Sequence, residues 1–447
     1  MASHWLKEWK PEDENFWNST GKVIAWRTLR ITTVALLLSF STWYLLSAVV
    51  VMLPKIGFTF TDNQLFWLAA MPGLAAGILR ICHMFLIPIY GTRNVITTAT
   101  FLKLIPCIGI GVAVMNRDTP FAIFMILAFL SGFGGGDFSS FMPSTSFFFP
   151  KKMQGTALGI QAGIGNFGVS VVQFITPWII GAAAFGFLSG DPQQITKPDG
   201  STGNVWLQNA ALVYVPFLLI IGFVAWKQLK SIPVVSSFKE QFDIFNNKHT
   251  WFCTITYVMT FGAFSGLAAA FPMLIKTLYG GFENAPNPLH YAFLGPLIGS
   301  AARVLFGPLT DKFGGAILTH ITGIALIICC GLLVALGCLT PTSLGQFPAF
   351  LSIMLAIFFF TGVGNAATFR QYPIIFSHSP RQAAGVIGFT AAIAAFGPFI
   401  YSTLIGTTMK LNDKNPAPFF IGLIIYFIIA TGINWWYYTR KGCEKPS

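Results

Sequence analysis

Twelve long apolar runs, separated by short polar segments, dominate the sequence and restrict the folds that it can adopt. A helix needs about 20 apolar residues to cross a lipid bilayer, and each run is close to that length or longer. Because 54% of the residues are hydrophobic and only 9% are charged, the chain could not cover itself with polar surface as a water-soluble globule. We therefore predict an all-α, polytopic membrane protein with twelve transmembrane helices, near residues 31–53, 63–87, 94–115, 121–148, 156–184, 208–227, 251–275, 289–310, 315–338, 347–375, 383–408 and 417–437.

The lysines and arginines lie mainly in the short segments between the apolar runs. With the N-terminus placed in the cytoplasm, 17 of them fall in inner segments and 6 in outer ones, which agrees with the positive-inside rule. The net charge of +12 does not indicate a nucleic-acid partner, because the basic residues form no stripe with interleaved aromatic residues. We expect a multi-pass protein of the cell (inner) membrane, embedded in the lipid bilayer, with its N- and C-termini cytoplasmic.

The cysteines and the lack of catalytic motifs narrow the function further. Six of the seven cysteines lie inside apolar runs, with no C-x2-C spacing, so we expect no disulfide framework, no metal and no other cofactor. The sequence has no nucleophile constellation and no phosphate-cradling loop, which argues against an enzyme and against an ATP-driven pump. A transporter-like sensor would need a larger soluble domain than the segment 228–250 can provide. A secondary transporter remains as the favoured interpretation.

A repeat indicates that the chain contains two similar halves. The longest inner segment, 228–250, separates six apolar runs from the next six, so we predict an N-terminal bundle at 31–227 and a C-terminal bundle at 251–437, flanked by cytoplasmic segments at 1–30 and 438–447. Arg80 lies 11 residues before Gly91 of one inner turn, and Arg303 lies 11 residues before Gly314 of another. The second turn, GPLTDKFGG, resembles a turn motif of the major facilitator superfamily, and the fold that this implies has two pseudo-symmetric six-helix halves.

The two arginines of this repeat fall near the middle of their apolar runs. Eleven residues of helix span about 16 Å, roughly half of a ~30 Å hydrocarbon core. A charge at that depth is costly unless it is paired or faces a cavity, and only Asp137 among the carboxylates falls well inside a predicted helix. The centre should therefore be positive and suited to a planar oxyanion. Structural arginines that bond to backbone carbonyls are the alternative.

The fifth apolar run is rich in glycine and carries a recognisable signature. In SFFFPKKMQGTALGIQAGIGNFGVSVVQ the glycines leave one helix face nearly bare, which fits either close helix packing or a pathway lined by backbone and by the amide of Asn166. This run resembles the fifth-helix signature of the nitrate/nitrite porter family of the NarK type. The stretch GFTAAIAAFGPF resembles the partner signature in the eleventh helix, and similarity extends to WKPEDENFW and YAFLGPLIGSAARVLFGPLTDKFGG. The signature glycines are Gly159, Gly163, Gly165, Gly168, Gly388 and Gly397.

The resemblance implies a transporter of nitrate and nitrite that works as a monomer. It implies that Arg80 and Arg303 hold the anion and that aromatic rings enclose the two faces of the anion. A tyrosine would donate a hydrogen bond to the anion or contact an arginine, and an asparagine and a further aromatic residue would complete the site. By position, these residues are Phe138, Phe261, Tyr257, Asn166 and Phe40.

Several ionisable residues stand where the family pattern leads us to expect neutral ones, and they leave the mechanism open. These are His83, Lys103, Asp137 and Arg370, and an ionisable residue inside the membrane suggests a function by default. In one mechanism the chain exchanges nitrate for nitrite, and Asp137 is locked in a static pair with Lys103 or Arg370. In the other, Asp137 or His83 carries a proton in symport with the anion. Transport of another small anion is a further alternative.

Overall fold

Long apolar helices make up most of the computed structural model, which describes residues 4–184, 186–196, 201–232 and 239–447. Within those residues, eleven helices are long and apolar enough to cross a membrane. We number the helices in chain order together with an eighth, described below. Helices α1 to α7 are Glu14–Trp43, Asp62–His83, Leu86–Ala113, Phe121–Phe148, Lys151–Ile179, Asn209–Gln228 and Lys248–Tyr279, and α9 to α12 are Gly315–Ala335, Leu344–Ile375, Arg381–Leu411 and Ala417–Thr439.

The eighth predicted span, near 289–310, is not one continuous helix. It consists of three short helices, Pro288–Tyr291, Leu294–Leu305 and Gly307–Phe313, which together form α8. Pro296, near the start of the second piece, and Pro308, near the start of the third, lack the amide hydrogen that would bond to the preceding turn, which favours the interruptions before these two pieces. The prediction of twelve spans therefore agrees with the structure in number only if these three pieces are counted as one span.

One predicted boundary needs correction, and the all-α fold contains one short hairpin that was not predicted. Helix α1 begins at Glu14 instead of near residue 31, so much of the predicted N-terminal segment 1–30 is helical. Its start is capped by Asp13, whose carboxylate accepts hydrogen bonds from the backbone of Asn15 and Phe16, as is common for a residue of this type. A short antiparallel hairpin of β1 (Gln193–Thr196) and β2 (Thr202–Val205) lies between α5 and α6. Hydropathy alone indicated neither feature.

Glycine residues allow helices to approach closely, both between the two halves and within the C-terminal half. A side chain at Gly73 of α2 would place its Cβ 2.5 Å from the backbone nitrogen of Phe399 in α11. In the C-terminal half, a Cβ at Gly362 of α10 would lie 2.1 Å from the carbonyl oxygen of Gly299 in α8. Packing of helix backbones against small residues is the main way in which membrane helices associate. These contacts bring α2, α8, α10 and α11 around the centre of the bundle.

Contacts between the halves close the end of the bundle opposite the N-terminus. Lys276 of α7 forms an ion pair of 2.8 Å with Asp62 at the start of α2. Beneath this pair, the hydroxyl of Tyr44 donates to the carbonyl of Ser265 over 3.1 Å, and the amide of Gln173 donates to the carbonyl of Ala268 over 2.9 Å. We call this region the closed end. At the other end, a Cβ at Gly159 of α5 would meet no described atom within 4 Å.

The segment that joins the halves is anchored to the C-terminal half. Its C-terminal part forms a 3-10 helix, Lys239–Asn246, and residues 233–238 of the predicted inter-half loop lie outside the described residues. Arg381, at the start of α11, pairs with Asp243 of this helix, and hydrogen bonds from Arg381 and from Gln382 hold the pKa of Asp243 below its ordinary value. The loop is therefore fixed to α11 at its C-terminal end.

Candidate functional site

Arg80 lies at the centre of the bundle and is fully buried. Its Nε donates to the carbonyl of Gly135 in α4 over 2.8 Å, and its Nη1 donates to the carbonyl of Ala391 in α11 over 2.7 Å. Its remaining nitrogen, Nη2, is buried without a hydrogen-bond partner among the described residues. Hydrogen bonds to backbone carbonyls, the structural alternative to anion binding, thus account for two of the nitrogens of Arg80. The third nitrogen remains available to a ligand.

Arg303 of α8 leaves more of its donors unused. It is 7% exposed, and both Nη1 and Nη2 are buried with no hydrogen-bond partner among the described residues. Arg303 and Arg80 rest against one common stack of aromatic rings, described below, so two positive charges face the same region. Buried donors without partners are rare in proteins, because each costs the free energy of its lost hydration. The three unpaired nitrogens belong to two positively charged side chains, so an anion is the kind of ligand that could satisfy them.

A stack of aromatic rings connects the two arginines. The guanidinium carbon of Arg80 lies 4.8 Å from the ring centre of Phe138 and 5.4 Å from that of Phe261. The ring of Tyr257 is nearly parallel to that of Phe261, at 5.5 Å and 8°. On its other side Tyr257 stacks on Phe369 of α10 at 5.0 Å and 15°. The guanidinium carbon of Arg303 lies 4.8 Å from the ring centre of Phe369, so each arginine rests against one end of a common stack.

The local shape of α7 contributes to this stack. Residues Val258–Gly262 form a π-helical turn within the helix, a feature that occurs often at functional sites. This wider turn lies between Tyr257 and Ala263 and includes Phe261. Phe40, which the resemblance also assigned to the site, lies behind Phe138 with ring centres 6.3 Å apart. It therefore supports Phe138, which in turn lies against Arg80.

Unpaired amide and hydroxyl groups lie on the same helix faces as these residues. Both amide atoms of Asn166 in α5 are buried without a hydrogen-bond partner among the described residues, and the same holds for Asn365 in α10 and for the hydroxyl of Ser300 in α8. Asn365 stands one turn before Phe369, and Ser300 stands one turn before Arg303, so each shares a face with its neighbour. A small anion with several acceptor oxygens would satisfy such donors.

The sequence indicated only part of this set. Phe369 and Asn365 were not predicted, and neither was Trp43, whose ring centre lies 5.3 Å from the guanidinium carbon of Arg80. The chain contains 46 phenylalanines, and no local pattern distinguishes Phe369 from the others. For Asn365, the rarity of a buried amide in an apolar run was a usable signal, because polar groups inside the membrane usually face the bundle interior.

The possible proton-carrying residues form a separate cluster beside the site. Asp137 is buried, and its Oδ2 accepts from Lys103 Nζ over 2.5 Å and from Ser39 Oγ over 2.6 Å. The Nδ1 of His83 lies 3.9 Å from the other carboxylate oxygen of Asp137 and 2.9 Å from the hydroxyl of Ser140. The sequence suggested Lys103 or Arg370 as the partner of Asp137, and the structure shows an ion pair between Asp137 and Lys103.

The signature glycines differ in how much space surrounds them. A Cβ at Gly168 or at Gly397 would lie 2.3 or 2.4 Å from a backbone oxygen, so these two positions require glycine. A Cβ at Gly163 or at Gly165 would lie 2.6 or 2.8 Å from the end of a side chain, which can shift more easily than backbone. The neighbour of Gly163 belongs to α8, the neighbours of Gly165 and Gly168 belong to α1, and the neighbour of Gly397 belongs to α7. Gly388 has its nearest contact at 3.4 Å, and Gly159 has none within 4 Å among the described atoms. Close packing against backbone therefore explains two of the six glycines, and the bare face near Gly159 borders open space.

Comparisons with known proteins agree with this architecture. A sequence model of the Major Facilitator Superfamily matches residues 32–345. A bacterial homologue of the human lysosomal transporter Spinster, solved in an inward-facing and unoccupied conformation, aligns with a TM-score of 0.68 and 15% identity, over 92% of this chain and 96% of the other. At this identity the likeness concerns the fold alone.

Two relatives that span almost the whole chain define the family more narrowly. The chain is 57% identical to the probable nitrate/nitrite antiporter NarK2 of Thermus thermophilus, over 99% of this chain and 98% of the relative. It is 38% identical to the nitrate/nitrite transporter NarU of Escherichia coli K12, over 98% and 96%. These matches and the fold identify the chain as a transporter of the major facilitator superfamily, and within it as a member of the NarK-type nitrate/nitrite porter family.

Proposed function

We propose that this chain carries nitrate and nitrite across a membrane by alternating access, exchanging one anion for the other. The observation that carries the proposal is the set of three unpaired guanidinium nitrogens, one on Arg80 and two on Arg303, buried beside a stack of aromatic rings. The relatives of highest similarity quoted above are described as a nitrate/nitrite antiporter and a nitrate/nitrite transporter, which supports this choice of substrate.

The chemistry of the site suits a small planar anion. A guanidinium presents its N–H groups in one plane, and a planar oxyanion can accept from two of them at once. An anion that bonds to Arg80 in the plane of its guanidinium would extend that plane beside the rings of Phe138 and Phe261. Tetrahedral anions such as sulfate are thicker and carry a second negative charge, so they fit this arrangement less well. Asn166 and Tyr257 would supply further hydrogen bonds at the edge of the anion.

The two arginines also favour exchange over one-way transport. They come from different halves, α2 and α8, so an anion bound to both would bridge the interface between the halves. Without an anion the two positive charges repel each other, which would oppose the occluded state through which the halves must pass. An empty carrier would then return slowly, and net flux would need an anion on each side. The ion pair between Asp137 and Lys103 holds that carboxylate in a static contact, which favours exchange over proton-coupled symport through Asp137.

We further propose that the chain lies in the cell (inner) membrane as a monomer with both termini in the cytoplasm. The excess of basic residues in the segments on the N-terminal side supports this orientation. In that orientation the closed end, sealed by Asp62 and Lys276, faces outward. The conformation described here would therefore release its anion towards the cytoplasm.

A binding measurement on the purified protein tests the substrate assignment. Nitrate and nitrite should raise the melting temperature, with the logarithm of their concentration once it exceeds the Kd, because a ligand that binds only the folded state stabilises it. Sulfate and chloride at the same ionic strength should raise it less. The variants Arg80→Gln and Arg303→Gln should lose the response to nitrate. An equal response to all four anions would refute the proposed selectivity.

A further inference from the structure

A buried ion pair beside the site is not used by the transport scheme above. Lys103 of α3 and Asp137 of α4 are both buried and joined to each other. We propose that this pair positions Arg80 and Phe138 for anion binding and adds no net charge to the site, so that Lys103 and Asp137 are positioning residues. The inference rests on the proposed function, since it assigns a role in holding nitrate or nitrite.

The pair connects three helices of the N-terminal half. The ammonium of Lys103 also donates to the carbonyl of Ala99, one turn earlier in α3. On the other side, Asp137 accepts from the hydroxyl of Ser39 in α1. The carboxylate is therefore tied to α1 and to α3 at once, which fixes the position of α4 between them. Each of these groups is buried, so water cannot replace the bonds.

Asp137 stands between the two groups of α4 that hold Arg80. The carbonyl of Gly135, two residues before it, accepts from Arg80 Nε. The ring of Phe138, the next residue after it, lies against the same guanidinium. A shift of Asp137 along or around the axis of α4 would move both of these groups. The orientation of Arg80, and therefore the direction of its unpaired Nη2, depends on where Asp137 is held.

The backbone of α4 needs such an anchor at this point. Gly134, Gly135 and Gly136 directly precede Asp137, and glycine is a poor helix former because its backbone has more freedom to lose. These positions cannot carry larger side chains, because a Cβ at Gly134 would lie 2.1 Å from the carbonyl oxygen of Ser39 and one at Gly135 would lie 2.6 Å from the ring of Trp43. The pair supplies an external constraint where the helix itself is weak.

The charge of the pair matters as much as its position. The groups that face Asp137 are Lys103 from α3, His83 from α2, and the uncharged Ser39 from α1. With Lys103 in place, the carboxylate is compensated, and the positive charge of both arginines remains for the anion. Without Lys103, an uncompensated negative charge would remain buried in α4, between the two groups that hold Arg80, and would lower the positive potential that attracts nitrate.

Four variants test this inference: Lys103→Met, Asp137→Asn, the double neutral variant K103M/D137N, and K103M/D137A. The double neutral variant removes both charges, yet the amide that replaces the carboxylate keeps an oxygen that can accept from Ser39. The alanine version is equally neutral but lacks that acceptor. Thr100→Val removes a buried hydroxyl of α3 that donates to the carbonyl of Ile96 in its own helix, and it serves as the matched control. Melting temperature and the Kd for nitrate are measured for each purified protein.

The expected results separate charge from position. Lys103→Met should raise the Kd for nitrate about tenfold or more, because breaking a buried pair leaves a charge without a partner. K103M/D137N should return to within about threefold of the unmodified protein, and K103M/D137A should bind about tenfold more weakly than K103M/D137N. Each single variant should melt about 5 °C or more below the unmodified protein, and K103M/D137N should recover most of this loss.

Other outcomes overturn the inference in distinguishable ways. If Lys103→Met binds nitrate and melts like the control, the pair neither anchors α4 nor positions Arg80. If K103M/D137A binds as tightly as K103M/D137N, the link to Ser39 has no positioning role. If the unmodified protein binds no nitrate, the proposed function and the role in anion binding both fail. The melting temperatures would then still decide whether the pair anchors α4.

Discussion

Replacing Arg303 with lysine would test how the site recognises its anion. The charge stays the same, but the two unpaired nitrogens of the guanidinium are replaced by one ammonium that cannot offer the same planar fork. A hydrogen bond between charged groups contributes about 1.5–3 kcal/mol. Losing one of the two should therefore raise the apparent KM for nitrate by roughly ten- to 150-fold, with a further small loss from weaker contact with Phe369.

The assay is the initial rate of nitrate uptake into proteoliposomes preloaded with nitrite, measured over a range of external nitrate concentrations. Arg440→Lys is the matched control, because Arg440 is an arginine that bonds to the carbonyl of Trp436 and rests on its ring outside the site. The control should keep the KM of the unmodified protein. If Arg303→Lys also kept its KM within twofold and its full turnover, bidentate binding of the anion by Arg303 would be wrong.

Three further predictions concern residues that the sequence did not indicate or that close the bundle. Phe369→Ala should raise the KM for nitrate about tenfold, measured in the same exchange assay, because it removes the ring against Arg303 and interrupts the stack; an unchanged KM would exclude the stack from the site. Asn365→Leu, which keeps a similar volume but no hydrogen-bonding group, should raise the KM while leaving the melting temperature equal or higher, since a buried amide without a partner is removed. A lower melting temperature with an unchanged KM would instead mark Asn365 as structural. Lys276→Met should open the closed end more often, by up to about fivefold, because a partly exposed ion pair is worth at most ~1 kcal/mol. The rate of thiol labelling at Ser47→Cys, a buried position beneath the pair, should rise by this factor relative to the Ser47→Cys variant that retains Lys276. Equal labelling rates would show that the pair does not hold that end closed.

The sequence predicts those parts of the fold that depend on local pattern. The spans follow from runs of apolar residues, and the placement of Arg80 and Arg303 at the same depth follows from counting residues to a turn. The start of α1 was misplaced because hydropathy ignores caps, although the segment around Asp13 carries a suitable capping residue. The division of α8 into three helices also escaped a method that asks only whether residues are apolar.

The parts of the site that the sequence could not indicate depend on contacts between distant helices. Whether Asp137 pairs with Lys103 or Arg370 is decided by which helices lie next to α4, and one sequence without relatives does not contain that information. The role of Phe369 depends in the same way on the packing of α10 against α7 and α8. The resemblance to a family indicated Phe138 and Phe261, which composition alone could not have separated from the other phenylalanines.

The measurement that tests the central claim most directly is nitrate uptake into proteoliposomes that contain either nitrite or an inert anion, with and without a pH gradient. The account predicts rapid uptake only when nitrite or nitrate is inside, and no response to the gradient. Uptake that is driven by inward protons into vesicles without a counter-anion would contradict exchange and return Asp137 and His83 to consideration as proton carriers. Absence of nitrate flux in every arrangement would contradict the proposed substrate while leaving the fold unaffected.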